Sequence, residues 1–342
     1  MARATLLVAL AGCSFQLAPP ANLTDADVRL DVVFMDDPSP ADSAPADWWN
    51  PSWRWRMPLT IYNTSATMLA AGYQVGLVHD LDAAPCTGGL EDARIVRGTE
   101  IVRVIDKVGT VEWTWFPIQA PIAAGATATD YWLYCGNPTP TPAPSDPRQV
   151  FTFYDDFSEA TLDTTLWTTM NTVALSNGKL IAGGTAVTDH GIVTKTLTFP
   201  KNHAVDFIAI ASSATASNFW AGFQIGTQDV APWLHWWSRL GSSICPDFVG
   251  VASDTPWYGA NVPLDTAPHL YGVENYGTAS LYRREDVVQE MHTYAPMAPP
   301  PAQVNVRLWN GSNANTVAYD MVRVRRAVFP MPTVVVGSPQ TF

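Results

Sequence analysis

The chain reads as all-β: two antiparallel β-sandwich domains in tandem, behind an export signal and an acidic spacer. Short apolar or alternating runs recur from residue 48 onward, separated by Gly, Pro, Asn and Ser, with no helical period between them. The 342 residues are 47% hydrophobic and include 14 Trp, while charged residues make up only 15%, a balance that supports two packed cores and argues against disorder. A Pro-rich break at residues 136–144 interrupts the strand pattern and places the boundary between the sandwiches near 138–150.

The elements follow in order. Met1-Ala2-Arg3 carries one positive charge, and the apolar run over residues 6–11 is too short to span a bilayer, as in a secretory signal. It closes on Leu10-Ala11-Gly12-Cys13, a small-residue cleavage site ended by cysteine. This stretch resembles the lipobox of bacterial lipoproteins. The resemblance implies cleavage before Cys13, lipid attached to Cys13, and a chain held at the membrane by that anchor. Ser14, in place of Asp, points by the same resemblance to the outer membrane, on its periplasmic face or at the cell surface. An ordinary signal peptide that contains a cysteine is the other reading. Residues 14–47 form a disordered linker rich in Ala, Pro, Asp and Ser. Asp25, Asp27, Asp31, Asp36, Asp37, Asp42 and Asp47 against Arg29 put half of the net charge of −12 there. The remainder is only mildly acidic and has no basic patch of the kind nucleic-acid binding needs.

Residues 48–150 hold strand candidates at 53–62, 73–79, 93–97, 101–105, 111–118 and 129–135. In the first, Trp53 and Trp55 share one face and Arg54 and Arg56 the other, so core packing and a solvated face account for them. Trp48-Trp49-Asn50-Pro51-Ser52-Trp53, Asp92-Ala93-Arg94-Ile95 and Tyr131-Trp132-Leu133-Tyr134-Cys135-Gly136-Asn137-Pro138 together resemble the bacterial domain family DUF2341. That resemblance implies an extracytoplasmic β-domain of unassigned function over residues 48–150.

Residues 151–342 hold further candidates at 179–182, 191–199, 204–212, 219–225, 233–240, 280–284, 303–310 and 319–328, with Asn310-Gly311 as a tight-turn signal. Phe153-Tyr154-Asp155-Asp156-Phe157, Leu166-Trp167 and the closing Tyr319-Asp320-Met321-Val322-Arg323 resemble the concanavalin A-like, laminin G-type jelly roll. The resemblance implies a last strand that returns beside the first, and it speaks to fold more than to function.

Cysteine use fits an exported protein: with Cys13 lipidated, Cys86 and Cys135 lie in one sandwich where an oxidising envelope permits their pairing, although spacing alone does not establish it. Cys245 is left as a buried thiol. The six histidines stand singly, without metal-ligand spacing. No cofactor is expected; structural calcium, which laminin G-type domains sometimes bind, stays open.

Some glycanases on the jelly roll place Glu-x-Asp-x-Glu, or a one-residue variant of it, on one strand, so that alternate carboxylates share a face. The densest acidic run here, Glu285-Asp286-Val287-Val288-Gln289-Glu290, has the wrong parity, and no Gly-x-Ser-x-Gly elbow is present. The expectation is therefore a chain that is not an enzyme. In Trp233-Leu234-His235-Trp236-Trp237, period two sends Leu234 and Trp236 to the core and Trp233, His235 and Trp237 to the opposite face. Trp233 and Trp237, with Trp257 and Tyr258 from a neighbouring loop, are candidate ligand-binding residues, since flat aromatics stack on sugar rings. The same rings also suit a Trp-rich core. The function expected is non-enzymatic binding of a glycan or an envelope protein. The alternatives are a glycoside hydrolase with a carboxylate pair distant in sequence, and a structural part of an envelope assembly.

Overall fold

The computed structural model describes residues 46–78, 86, 92–108, 111–183, 190–215, 218–225, 232–239, 243–249, 256–285, 287–294, 303–311 and 315–342. Cys13, the expected export signal and the expected spacer up to residue 45 lie outside the described residues. Within them, no helix is long and apolar enough to cross a membrane.

Antiparallel strands are the dominant regular structure of the described chain, and its one helix is a single turn, Pro147–Val150, capped by Asp146 with Pro147 at its first position. In the first sandwich a sheet runs in the order Thr333–Val336, Trp55–Tyr62, Thr127–Cys135, Arg94–Arg97, Thr99–Ile101. It packs on a three-stranded sheet of Gln74–Val78, Val111–Pro117 and Val104–Val108. Met57, Leu59 and Ile61, two apart on one strand, meet Ile95, Leu133, Leu77 and Phe116 in the core between the sheets. Cys86 and Cys135 are joined by a disulfide in that core.

The second sandwich pairs an eight-stranded with a nine-stranded sheet. The smaller has the order Val173–Leu175, Leu180–Gly183, Thr316–Arg326, His203–Ala211, His269–Asn275, Ala279–Arg284, Val287–Thr293. Phe153–Asp155 pairs with Thr316–Arg326, so the first strand of this sandwich lies beside its last. The larger sheet has the order Trp257–Tyr258, Ser243–Val249, Trp233–Arg239, Phe219–Gln224, Gln303–Asn310, His190–Thr194, Trp167–Met170. Between the sheets lies an apolar core that includes Trp236, Phe219, Phe223, Phe207, Tyr271 and Tyr319. The all-β, two-sandwich architecture is the one the alternation predicts.

Three local expectations need correction. Residues past Arg326 leave the second sandwich: Thr333–Val336 and Gln340–Thr341 hydrogen-bond to Trp55–Tyr62 of the first, and Phe342 packs on Trp48 at 4.8 Å. Arg56 is buried instead of solvated, because its guanidinium lies over the rings of Trp48 (4.6 Å) and Trp132 (4.2 Å) and meets Asp47 at 2.9 Å. Asn310-Gly311 does not close a hairpin, since Gln303–Asn310 and Thr316–Arg326 belong to opposite sheets.

The outer face of the eight-stranded sheet is not free. Asp206, Glu274, Arg283, Arg323 and Arg325 project from it as a charge network in which Arg325 reaches Asp206 (2.9 Å) and Glu274 (2.8 Å). The first sandwich covers part of it: Asp106 pairs with Arg323, whose guanidinium stacks on Trp115 (4.8 Å) and on Phe151 (4.7 Å) of the connecting segment. On the outer side of the larger sheet Trp220, Trp233 and Trp237 are half-buried and Tyr258 is exposed.

Candidate functional site

Strand register sets this site out in rows. Pairing places Cys245, Trp237, Trp220, Trp309 and Gly191 side by side across five strands. The next row, two residues along, reads Tyr258, Asp247, His235, Gly222, Arg307 and Val193. A third holds Val249, Trp233, Gln224 and Asn305. Residues between these rows, such as Leu234, Trp236, Ala221, Phe223, Val306 and Leu308, point inward to the core. A row of three tryptophans thus runs beside a row of polar groups.

Trp220 stacks nearly parallel to Trp237, at 5.8 Å and 9°, and meets Trp309 at 5.3 Å on its other side. Tyr258, 36% exposed, extends the aromatic surface against Trp237 at 5.3 Å. Trp233 and Trp237 are half-buried. Trp233 donates from Nε1 to Asp247 Oδ2 at 2.8 Å and lies parallel to the His235 ring. Trp237 donates to Asn218 Oδ1 at 3.2 Å.

The polar row is deeply buried. His235 is 1% exposed and Arg307 0% exposed. Arg307 donates to Gln224 and packs on the Trp309 ring. Among the described residues neither ring nitrogen of His235 has a hydrogen-bond partner. Burial, together with the nearby Arg307 charge, holds the imidazole well below its ordinary value, so the ring is neutral near pH 7. A neutral imidazole there can donate one hydrogen bond and accept another.

The sequence-predicted residues divide. Trp233, Trp237 and Tyr258 come together on this face. Trp257 does not: its strand alternates, and its ring turns against His292 (4.0 Å) and Tyr282 (6.2 Å) at the inter-sheet core. Trp220, His235, Asp247, Arg307 and Trp309 were not singled out as binding residues. They sit on three other strands or beside Trp233, and only register brings them together; the alternation in residues 219–224 and 303–310 is the signal that points to Trp220, Arg307 and Trp309. Glu285 occupies a turn with φ of 52° and pairs with His269 at 2.8 Å, far from any Glu-x-Asp-x-Glu arrangement. Among the described residues no group of three His, Cys, Asp or Glu side chains is placed to hold a metal ion.

Comparison with known proteins adds the following. The family profile described as "Domain of unknown function (DUF2341)" matches residues 109–170, which straddle the end of the first sandwich and the start of the second and so only overlap the 48–150 span expected. No curated protein matches the chain. Among solved structures, the chain is similar to one titled for endo-acting O-glycanases of the human gut microbiota, at 13% identity and a TM-score of 0.43, covering 52% of this chain and 99% of that one. It is similar to an endo-β-1,3-glucanase from Pyrococcus furiosus, at 14% identity and a TM-score of 0.40, covering 52% and 94%. It is also similar to the endo-β-1,3(4)-glucanase SCLam, at 10% identity and a TM-score of 0.41, covering 51% and 89%. At these identities the likeness is one of fold. The expectation that the chain is not an enzyme does not stand beside these matches, which are glycanases and, in one case, a transglycosylase.

Proposed function

We propose that the protein acts on glycans, holding a saccharide along the tryptophan row with its linkage beside the polar row. The observation that carries this is the stack of the half-buried Trp220 and Trp237 with the exposed Tyr258, beside the row of Asp247, His235 and Arg307 on the outer side of the larger sheet. Flat rings take up the apolar faces of sugars, while fixed polar groups select hydroxyl positions. Hydrolysis is a second reading, on one further feature: Asp247 and His235 are cross-strand neighbours, so a carboxylate and an imidazole lie beside each other in the polar row. The export signal and Cys13 support delivery to the envelope with a lipid anchor; Cys13→Ser is expected to shift the chain from the membrane to the soluble fraction.

The test is calorimetry and reducing-end release with the full-length chain on a panel of bacterial and plant polysaccharides. Saturable binding supports the proposal, and product release abolished by Asp247→Asn with binding kept supports hydrolysis. Neither binding nor release across the panel would sink both.

A further inference from the structure

Two exposed apolar side chains meet at one concavity. Phe329 is 49% exposed and Met291 43% exposed, and both line a cavity of about 250 Å³ where the two sandwiches join. Thr67 comes to it from the first sandwich, Asn202, Tyr276, Thr278 and Met291 from the second, and Phe329 from the segment that returns to the first. Hydrogen bonds and ring packing fix these walls before any ligand arrives. The Thr67 carbonyl accepts from Asn63 Nδ2 at 2.8 Å and from Ser65 Oγ at 2.9 Å. Asn202, at a φ of 65°, donates its backbone N–H to the Asn275 carbonyl at 2.6 Å and accepts from the Ala327 N–H at 2.8 Å. The Thr278 carbonyl accepts from the Tyr294 N–H at 3.0 Å. Phe329 rests against the Tyr276 ring at 5.7 Å, and the Tyr276 hydroxyl donates to Glu274. The side chains of Thr67, Asn202 and Thr278, by contrast, are exposed and spend no hydrogen bond on the described residues.

Resting on the glycan reading above, we propose that this junction cavity receives one unit of a neutral saccharide, with an apolar face of the sugar ring against Phe329 and Met291 and its hydroxyls at Thr67, Asn202 and Thr278. Exposed apolar residues that stand singly need no ligand, but an aromatic ring set in a concavity among uncharged donors and acceptors is the lining a sugar requires. None of the side chains that line the cavity is charged, so nothing in it offsets an acidic unit. A wholly apolar partner would cover the two hydroxyls and the amide without pairing them. The cavity falls below the range of about 300–1,000 Å³ in which pockets enclose a whole small molecule, so it suits one ring of a chain that continues over the rim. Because the walls are already ordered, little conformational freedom is lost on binding. Met291 belongs to the smaller sheet and Trp237 to the larger, so a polymer long enough to reach both is held twice.

The experiment is calorimetry of the full-length chain and of Phe329→Ala, Phe329→Trp and Trp237→Ala with laminarin, β-1,4-galactan and polygalacturonate, together with the Met291 methyl resonance, assigned through Met291→Leu. At least one of the two neutral polymers is expected to bind the wild-type chain. Phe329→Ala is expected to weaken that binding five-fold or more, and Phe329→Trp, which keeps an aromatic ring, to stay within two-fold. The Met291 methyl is expected to shift with the neutral polymer and not with polygalacturonate. Should Phe329→Ala fail to fold, the wild-type methyl shift decides. Neutral binding unchanged in folded Phe329→Ala, binding by polygalacturonate alone, or a Met291 methyl unmoved at saturation would overturn the junction site. A Met291 methyl moved by the apolar dye anilinonaphthalene sulfonate and by no saccharide would also overturn it, in favour of an apolar partner. In each of these cases a loss of binding in Trp237→Ala would leave the glycan reading in place. Binding by none of the three polymers, together with no binding or release across the polysaccharide panel, would overturn both.

Discussion

At the residue scale, two positions on the larger sheet bear most on the site. Gly222 lets the strands Phe219–Gln224 and Trp233–Arg239 approach closely at a φ that L side chains rarely adopt. Gly222→Ala is expected to lower stability by about 2 kcal/mol or more, from backbone strain plus the clash, as measured by chemical denaturation. An unchanged midpoint would show that the strands do not meet in this way. His235 gives a pH dependence with a definite sign. Its folded-state value is depressed, so its contribution to stability is complete above about pH 6.5. That contribution is lost as pH falls below 6.5 toward the folded value, since the unfolded chain then binds a proton that the folded one does not. The denaturation midpoint is expected to drop between pH 7 and pH 5, and to drop less in His235→Gln. Asp155 and Asp206, whose carboxyls burial pushes up, work in the opposite direction at lower pH, so the comparison with the variant isolates His235.

At the element scale, alternation made most strands legible. Trp233–Arg239 and Gln303–Asn310 stand where period two puts them, and Leu234 and Trp236 face the core as that period requires. The strands without a readable pattern have physical reasons. Ser243–Val249 carries Pro246 and Asp247 and is buried on both sides, so it shows no polar alternation. His269–Asn275 likewise buries Glu274 within an ion network that sequence cannot display. Val287–Thr293 is an edge strand with exposed Val287, Val288 and Met291, and it reads as an acidic run instead of a strand. The candidate site was half legible for the same reason. Period two separates Trp233 and Trp237 from the core within one strand, but the rows that join them to Trp220, Asp247 and Arg307 exist only through pairing between strands. Trp257 shows the limit: in a two-residue strand neither parity nor burial can be read, and its ring belongs to the core side.

At the scale of the whole molecule, the two sandwiches are tied by more than a linker. The last strands return to Trp55–Tyr62, and Arg323 crosses the seam to Asp106 while also holding Asp206 at 3.0 Å. Removing one member of such a buried network leaves its partners charged and desolvated. Arg323→Ala is expected to cost about 3–5 kcal/mol by chemical denaturation. A loss below about 1 kcal/mol would show a seam that water enters freely. The functional proposal centres on the outer side of the larger sheet, where Trp220 and Trp237 are half-buried and Tyr258 is exposed. The measurement that tests it most directly is calorimetry of Trp220→Ala, Trp237→Ala and Trp257→Ala against the best saccharide found for the wild-type chain, with folding checked in each. Losses of ten-fold or more for Trp220→Ala and Trp237→Ala, with Trp257→Ala close to wild type, are expected. Binding unchanged by the first two, or lost only with Trp257→Ala, would contradict a saccharide site on this face.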